Sequence, residues 1–259
     1  MSKLLYNPKV NGSVKVVEIS PSLIDSNYKL LRRHYTNGDI ILIDNFKFDI
    51  DYSLFDFQPH EASTNNSLKK PKMLEALEHL SNKEKTVARR TEAAMEACQN
   101  RIQELFKGMF PEVTSLDNIT TWRFTRTNTE DYHLDIYADD FVTFRAFYNL
   151  SLTPRVWGFG HSSKDALDAL RIKKEDLHLY EKGNTLSRLL NNKLRAWLDT
   201  QERHIAEFGH CSLWLCDSLK VGHQVVSGEK MAAFTYRTPA KDFGADPVVY
   251  RNYVNQALC

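Results

Sequence analysis

Two stretches decide how this chain is read: Tyr132-His133-Leu134-Asp135-Ile136-Tyr137 and, just after Asp139-Asp140, Val142-Thr143-Phe144-Arg145-Ala146-Phe147-Tyr148-Asn149-Leu150. Both are rich in aromatic and β-branched residues and alternate in character, the pattern of strands. Successive side chains on a strand point to opposite faces. His133, Asp135 and Tyr137 therefore share one face, and Tyr132, Leu134 and Ile136 the other. Asp139-Asp140 reads as the turn between the two strands, and Arg145, Phe147 and Asn149 share a face of the second.

Outward from this pair, Thr120–Phe124 has strand composition, and Arg155-Val156-Trp157 continues the pattern beyond Pro154. A helical insert is predicted over about 164–207, including Leu186, Leu189, Leu190, Leu194 and Trp197. Strands return at 212–216, 222–226 and 230–236. Upstream, 21–34 reads as a helix, Asn37-Gly38 as a turn, and Ile40-Ile41-Leu42-Ile43 as a buried strand. His60 to Lys72 is polar and expected to be a loop, with a mobile lid as the less common alternative. From Asn82 to Gly108, Val87, Ala94, Cys98, Ile102 and Leu105 repeat at helical spacing, predicting an amphipathic helix packed on the back of a sheet. A sheet interrupted by helices and then completed points to an α+β chain with a mainly β core: a double-stranded β-helix of the jelly-roll, cupin-like kind, flanked by helices. The expected organisation is one domain over 1–259. Helix and strand support occupies 1–118, the core 119–239 and a tail 240–259.

His133 and Asp135, two apart on one strand face, present an imidazole and a carboxylate side by side. A second His from a separate strand completes a 2-His-1-carboxylate triad, which leaves open positions on a bound Fe(II). Alone, an H-x-D tripeptide is common by chance. His223 opens the predicted strand at 222–226 and is preferred as the third ligand over His210, which sits beside Gly209 in a turn. The other histidines read as surface or satisfied buried side chains. Arg145, in an apolar strand, is costly to bury without an anion. That anion is either a bound carboxylate, which the guanidinium fork suits, or a nearby Asp or Glu. Arg237, at the end of its strand, is the rival carboxylate clamp. Asn149 and Ser227 are further candidates to touch a cosubstrate, although Ser227-Gly228 reads most simply as a turn or bulge. Arg123, Arg126 and Arg155 are candidates to line a pocket for an acidic substrate, with surface arginines the commoner case.

Composition removes several classes. With 34 basic and 33 acidic residues, the net charge is +1, so no global field favours nucleic acid. Cys98, Cys211, Cys216 and Cys259 are dispersed and form no disulfide framework. No apolar run is long enough to span a bilayer, and a cytoplasmic chain is expected, with peripheral membrane contact left open. P-loop, GxGxxG, G-x-S-x-G and H-E-x-x-H motifs are absent.

The strings Tyr132-His133-Leu134-Asp135, Phe144-Arg145-Ala146-Phe147-Tyr148-Asn149 and Pro154-Arg155-Val156-Trp157 resemble the Fe(II)/2-oxoglutarate-dependent Kdo 3-hydroxylases. So do Ser212-Leu213-Trp214-Leu215-Cys216-Asp217 and Val221-Gly222-His223-Gln224-Val225-Val226-Ser227-Gly228. The likeness covers about 119–236. It implies iron ligands at His133, Asp135 and His223, a cosubstrate arginine at Arg145, and Fe(II), 2-oxoglutarate and O2 as requirements. It also implies hydroxylation of an aliphatic C–H bond in Kdo, an acid sugar of lipopolysaccharide. The loop Ala138-Asp139-Asp140-Phe141 is short and acidic where the family has a basic one. The metal and cosubstrate apparatus therefore transfers better than the glycolipid substrate, and a natural product, amino acid or peptide is the alternative. A non-catalytic cupin-like metal module is the rival from another class.

Overall fold

The computed structural model describes residues 1–55, 68–69, 82–124, 129–135, 141–173 and 185–239. The chain runs β1 (Lys3–Leu5), β2 (Val16–Glu18), α1 (Tyr28–Asn37), β3 (Ile40–Ile43), β4 (Leu68–Lys69), α2 (Asn82–Met109), β5 (Asp117–Asn118) and β6 (Thr121–Phe124). It continues through β7 (Glu130–His133), β8 (Phe141–Asn149), β9 (Arg155–Ser162), α3 (Ser163–Ala169), α4 (Thr185–Leu198), β10 (His204–Phe208), β11 (Leu213–Leu215), β12 (Val221–Ser227) and β13 (Lys230–Pro239).

Two sheets organise these strands. One has the order β1-β10-β9-β12-β7; the other runs β2-β3-β11-β8-β13-β6-β4, with β5 also paired to β13. Nearly every pairing is antiparallel, β2 with β3 being parallel. Alternation places Phe147, Trp214, Met231 and Ala233 of the larger sheet in one cluster with Trp157, Phe159, Phe208 and Val225 of the smaller. That cluster is the interior between the sheets. The opposite faces are covered by helices. Phe144, Ala146, Tyr148, Phe234 and Tyr236 pack against Leu31, Tyr35, Met95, Cys98, Ile102 and Phe106 of α1 and α2. Tyr132 and Leu134 pack against Ala166, Leu167, Leu194 and Leu198 of α3 and α4.

Most predicted elements form, with local differences. The helix expected over 21–34 is a single 3-10 turn at Pro21–Leu23 followed by α1. Gly38 ends α1 at φ 81°, a left-handed cap that glycine adopts without steric cost. In α2 the stripe Ala94, Cys98, Ile102 and Leu105 is buried, but Val87 is 37% exposed, because the buried face in that turn is carried by Ala88 and Thr91. The helical insert is shorter than expected. α3 begins on a capping box in which Ser162 and Asp165 satisfy each other's backbone N–H groups, and α4 ends at Leu198. His204–Phe208, assigned to the insert from sequence, is instead strand β10, held between β1 and β9. Its Ala206 and Phe208 face the interior, a two-residue period too short to stand out in sequence. Cys98, Cys211 and Cys216 are buried free thiols. Most of the expected His60–Lys72 loop, the turn at Asp139-Asp140, and the 240–259 tail lie outside the described residues. No described helix is long and apolar enough to cross a membrane.

Candidate metal centre and active site

β7 and β12 lie side by side with His133 directly opposite His223. The two imidazole centroids are 4.5 Å apart. Asp135, just past the end of β7, is anchored by its N–H, which donates to Ser218 O at 2.9 Å. One Asp135 oxygen (Oδ1) lies 3.9 Å from His133 Nε2 and the other (Oδ2) 3.7 Å from His223 Nε2. One ligand atom from each of His133, Asp135 and His223 falls within 4.8 Å of the others, the one such group of three found among the described residues. The residues predicted as metal ligands thus converge.

Their donor set fits a divalent metal. His133 Nδ1 lies 2.6 Å from Asp131 O, and His223 Nδ1 3.0 Å from Val221 O. A carbonyl only accepts, so Nδ1 carries the proton in both rings, and each Nε2 faces Asp135. This is the backbone-fixed tautomer that metal-binding histidines use. Burial, with help from His133, brings the pKa of His223 down to about 4, so its ring is neutral at pH 7. For Asp135, burial would raise the pKa, but Arg145 foremost, then His223 and His133, hold it well below the usual carboxylate range. Trp157 stacks on His223 at 4.8 Å and 21°, fixing the plane of the ring.

Beside the triad is a small cavity that opens to solvent. Its apolar wall is Phe147, Trp157, Val225, Met231 and Ala233; its charged groups are Arg123, Glu130, Asp135, Arg145 and Arg155. Arg145 is ion-paired with Asp135, the internal-anion alternative weighed for it from sequence. Its Cζ sits 4.7 Å from the Phe147 ring centroid. Arg155 is 1% exposed. Burial, reinforced by Arg123 and opposed by Glu130, lowers it to about 9. Glu130 is ion-paired with Arg123 and lies 3.8 Å from His133 Nε2.

Three candidates for touching a cosubstrate lie elsewhere. Arg237 pairs with Asp117 and lies over Phe141, its side chain 37% exposed. Asn149 is fully buried, but its amide donates to the carbonyls of Thr153, Phe208 and Gly209 while its oxygen accepts from Ser151 N. That use is structural, closing one end of the core. Ser227 is exposed at the end of β12. His210 contacts Ser151 O, away from the triad. Arg126 lies outside the described residues.

Glu130 was missed from sequence. By simple alternation it belongs with Tyr132, on the face away from the ligands. The register slips, however: His223 pairs with His133 and Val225 with Glu130, so two steps on β12 match three on β7. This bulge returns Glu130 to the ligand face, and one chain alone carries no signal for it.

No protein-family model matches the sequence, and no curated protein matches it. Solved structures do. The fold is similar to that of a Kdo hydroxylase, KdoO, described as a non-haem Fe(II) α-ketoglutarate-dependent dioxygenase. In its cobalt(II) complex the TM-score is 0.68 at 16% identity, over 93% of this chain and 96% of that one. Its complex with α-ketoglutarate and Fe(III) gives 0.67 at 16% identity, and its apo form 0.65 at 17%, over the same shares of both chains. The resemblance carried by the ligand and arginine strands in the sequence is thus matched by a likeness of fold along nearly the whole chain.

Proposed function

We propose that this protein is an Fe(II)- and 2-oxoglutarate-dependent dioxygenase that hydroxylates an aliphatic C–H bond of a small molecule, built on one double-stranded β-helix domain. The observation that carries this is the convergence of His133, Asp135 and His223 at the edge of a cavity lined by Arg123, Arg145 and the buried Arg155. Iron with 2-oxoglutarate and O2 supplies the oxidising power for the C–H bond, with succinate and CO2 as co-products.

The chain's own residues have distinct tasks. His133 and His223 offer Nε2 lone pairs, each fixed by its Nδ1–H bond to a backbone carbonyl, and Asp135 supplies the anionic ligand. The distal carboxylate of 2-oxoglutarate must sit at the far end of a five-carbon chain from the metal. Arg145 touches the ligand Asp135 itself, so it stands at the metal end. Arg155, buried in the cavity wall with Gly228 packed on its stem, is the arginine we assign to the distal carboxylate. Phe147, Trp157, Val225, Met231 and Ala233 keep water from the space between. The suggested substrate is an acidic sugar related to Kdo or another small acid, supported by the basic character of the cavity and the likeness of fold.

Release of succinate from 2-oxoglutarate in the presence of Fe(II) and O2 tests the reading. We expect slow turnover without substrate in the wild type and none in Asp135→Ala. A protein that binds Fe(II) but neither binds nor consumes 2-oxoglutarate would overturn it in favour of a metal module without catalysis.

A further inference from the structure

The chain between β1 and β2 lies against β9 and β10 and is tied down at both ends. On one side Leu5 pairs with Ile205 of β10. On the other, Val14 N–H donates to Gly160 O at 3.1 Å, and Asp165 accepts from the Ser13 N–H and hydroxyl. Gly12 approaches Gly160 so closely that a Cβ on it would strike the Gly160 carbonyl oxygen. Between these ties Asn7-Pro8-Lys9-Val10 forms a turn, with Pro at the position that suits its fixed φ. Val10 N–H donates to Asn7 O at 3.1 Å, and Lys9 N–H to Asn7 Oδ1 at 3.0 Å. The turn is then fastened to β10 by one imidazole. Asn7 N–H donates to His204 Nδ1 at 3.0 Å, and the Tyr6 ring meets His204 edge-on at 5.0 Å.

A backbone N–H only donates, so this bond requires a bare Nδ1 and a proton on Nε2. A second proton on the ring would set hydrogen against hydrogen. We propose that His204 is a pH-sensitive latch, holding the turn Asn7–Val10 on β10 while its ring is neutral and releasing it once the ring is protonated. Burial lowers the pKa of His204, and a bond made only by the neutral ring acts in the same direction. The latch is therefore closed at pH 7 and opens below the ordinary histidine value of about 6.5. The opening is local, because the ties at Leu5 and Val14 do not involve the ring. It uncovers Gly160, against which Val10 packs, on the strand that pairs with β12. The other titratable and charged groups around the ring are Tyr6, Lys9, His161, Asp165, Glu202 and Arg203, and none accepts the Asn7 N–H. Glu202 accepts from the Asn7 side-chain amide at 3.1 Å. His161 Nε2 lies 3.4 Å from Asn11 Oδ1, a contact that a protonated ring keeps. Arg203 lies over Tyr132 and donates to Gln224. The latch is independent of the oxygenase reading.

Amide hydrogen exchange of the full chain, followed by mass spectrometry at about pH 7.5 and about pH 5 and corrected for intrinsic rates, tests this. The comparison is wild type, His204→Asn and His204→Phe, with far-UV circular dichroism confirming the fold of each at both pH values. Asn keeps an acceptor near the place of Nδ1 and does not titrate; Phe keeps a ring and has no acceptor. In wild type, protection over 6–13 should fall roughly tenfold for each pH unit below the folded-state value of His204, while β8 stays protected. His204→Asn should hold its protection over 6–13 at both pH values, and His204→Phe should lack it at both. Wild-type protection over 6–13 that does not fall relative to β8 would overturn the proposal. So would an equal fall in His204→Asn, which would assign the switch to Glu202 or Asp165, or a His204→Phe protein as protected as wild type at the higher pH.

Discussion

His133 and His223 are cross-strand partners on adjacent antiparallel strands, their ring centroids 4.5 Å apart, though they come from distant parts of the sequence. Each strand fixes its own imidazole through a carbonyl two residues earlier, Asp131 O and Val221 O. The sheet sets the spacing of the two nitrogens and the local backbone sets which of them is bare. Strand pairing alone thus brings the two imidazoles together.

Because the site exists in the folded chain, metal should stabilise it. A ligand at about 100 times its dissociation constant adds about 2.7 kcal/mol, which for a domain of this size corresponds to a rise of roughly 5–10 °C in thermal midpoint. Differential scanning fluorimetry with Co(II) should show a rise of this order in wild type and almost none in His133→Ala or His223→Ala. An undiminished shift in both variants would place the ion elsewhere.

Arg155 separates binding from stability. Arg155→Met keeps most of the side-chain volume and removes a buried cation that its surroundings resist. Loss of charge-assisted hydrogen bonds to a carboxylate costs about 1.5–3 kcal/mol, so 2-oxoglutarate affinity should fall roughly 10–150-fold. Metal affinity should hold. Titration calorimetry with 2-oxoglutarate on the metal-loaded protein reads this directly; unchanged affinity would return the distal carboxylate to another arginine.

The fold was legible where a side-chain period persists. The alternation of β8 and the helical stripe of α2 from Ala94 onward survive in the structure, because each pattern is set by burial on one face, and the HxD of the first ligand strand keeps its two side chains together. It was illegible where geometry beyond the strand intervenes. Met231, Ala233 and Arg237 have the same parity on β13, yet the first two line the cavity and Arg237 pairs with Asp117. At about 3.3 Å per residue, Arg237 lies roughly 13 Å further along the strand than Ala233, beyond the reach of the site. Parity tells which face a residue is on and not how far along the core it lies. Arg155 shows the converse: at the very start of β9 it looked like a surface arginine, and the packing of Gly228 against its stem encloses it.

Trp157 links core packing to the site. It stacks on His223 and meets Phe147 and Trp214 edge-on at 4.9 and 5.3 Å. Trp157→Ala should cost about 3–5 kcal/mol of stability. Trp157→Phe should recover much of that while leaving His223 less constrained. Urea unfolding of the metal-free protein, paired with Co(II) affinity, would show both effects. A Trp157→Ala protein as stable as wild type would contradict the packing described.

The pH dependence follows from the buried His161 and His223 and the half-buried His204. Burial lowers the pKa of His161 and of His204, and brings His223 to about 4. In the unfolded chain these groups titrate near about 6.5. Below that pH the unfolded state takes up protons that the folded state resists, so stability rises with pH through this window. The contribution is complete above about pH 6.5 and is lost as pH falls towards the folded-state values. Urea midpoints of the metal-free protein at pH 7.5, 6.5 and 5.5 should fall in that order; a midpoint that rises on acidification would contradict the assignment.

We propose that His133, Asp135 and His223 hold an iron that 2-oxoglutarate chelates. It is tested most directly by adding Fe(II) and then 2-oxoglutarate under anaerobic conditions and following the visible metal-to-cosubstrate charge-transfer band. A band that requires both additions is expected in wild type and is lost in His223→Ala. Bound Fe(II) with no band on addition of 2-oxoglutarate would contradict it.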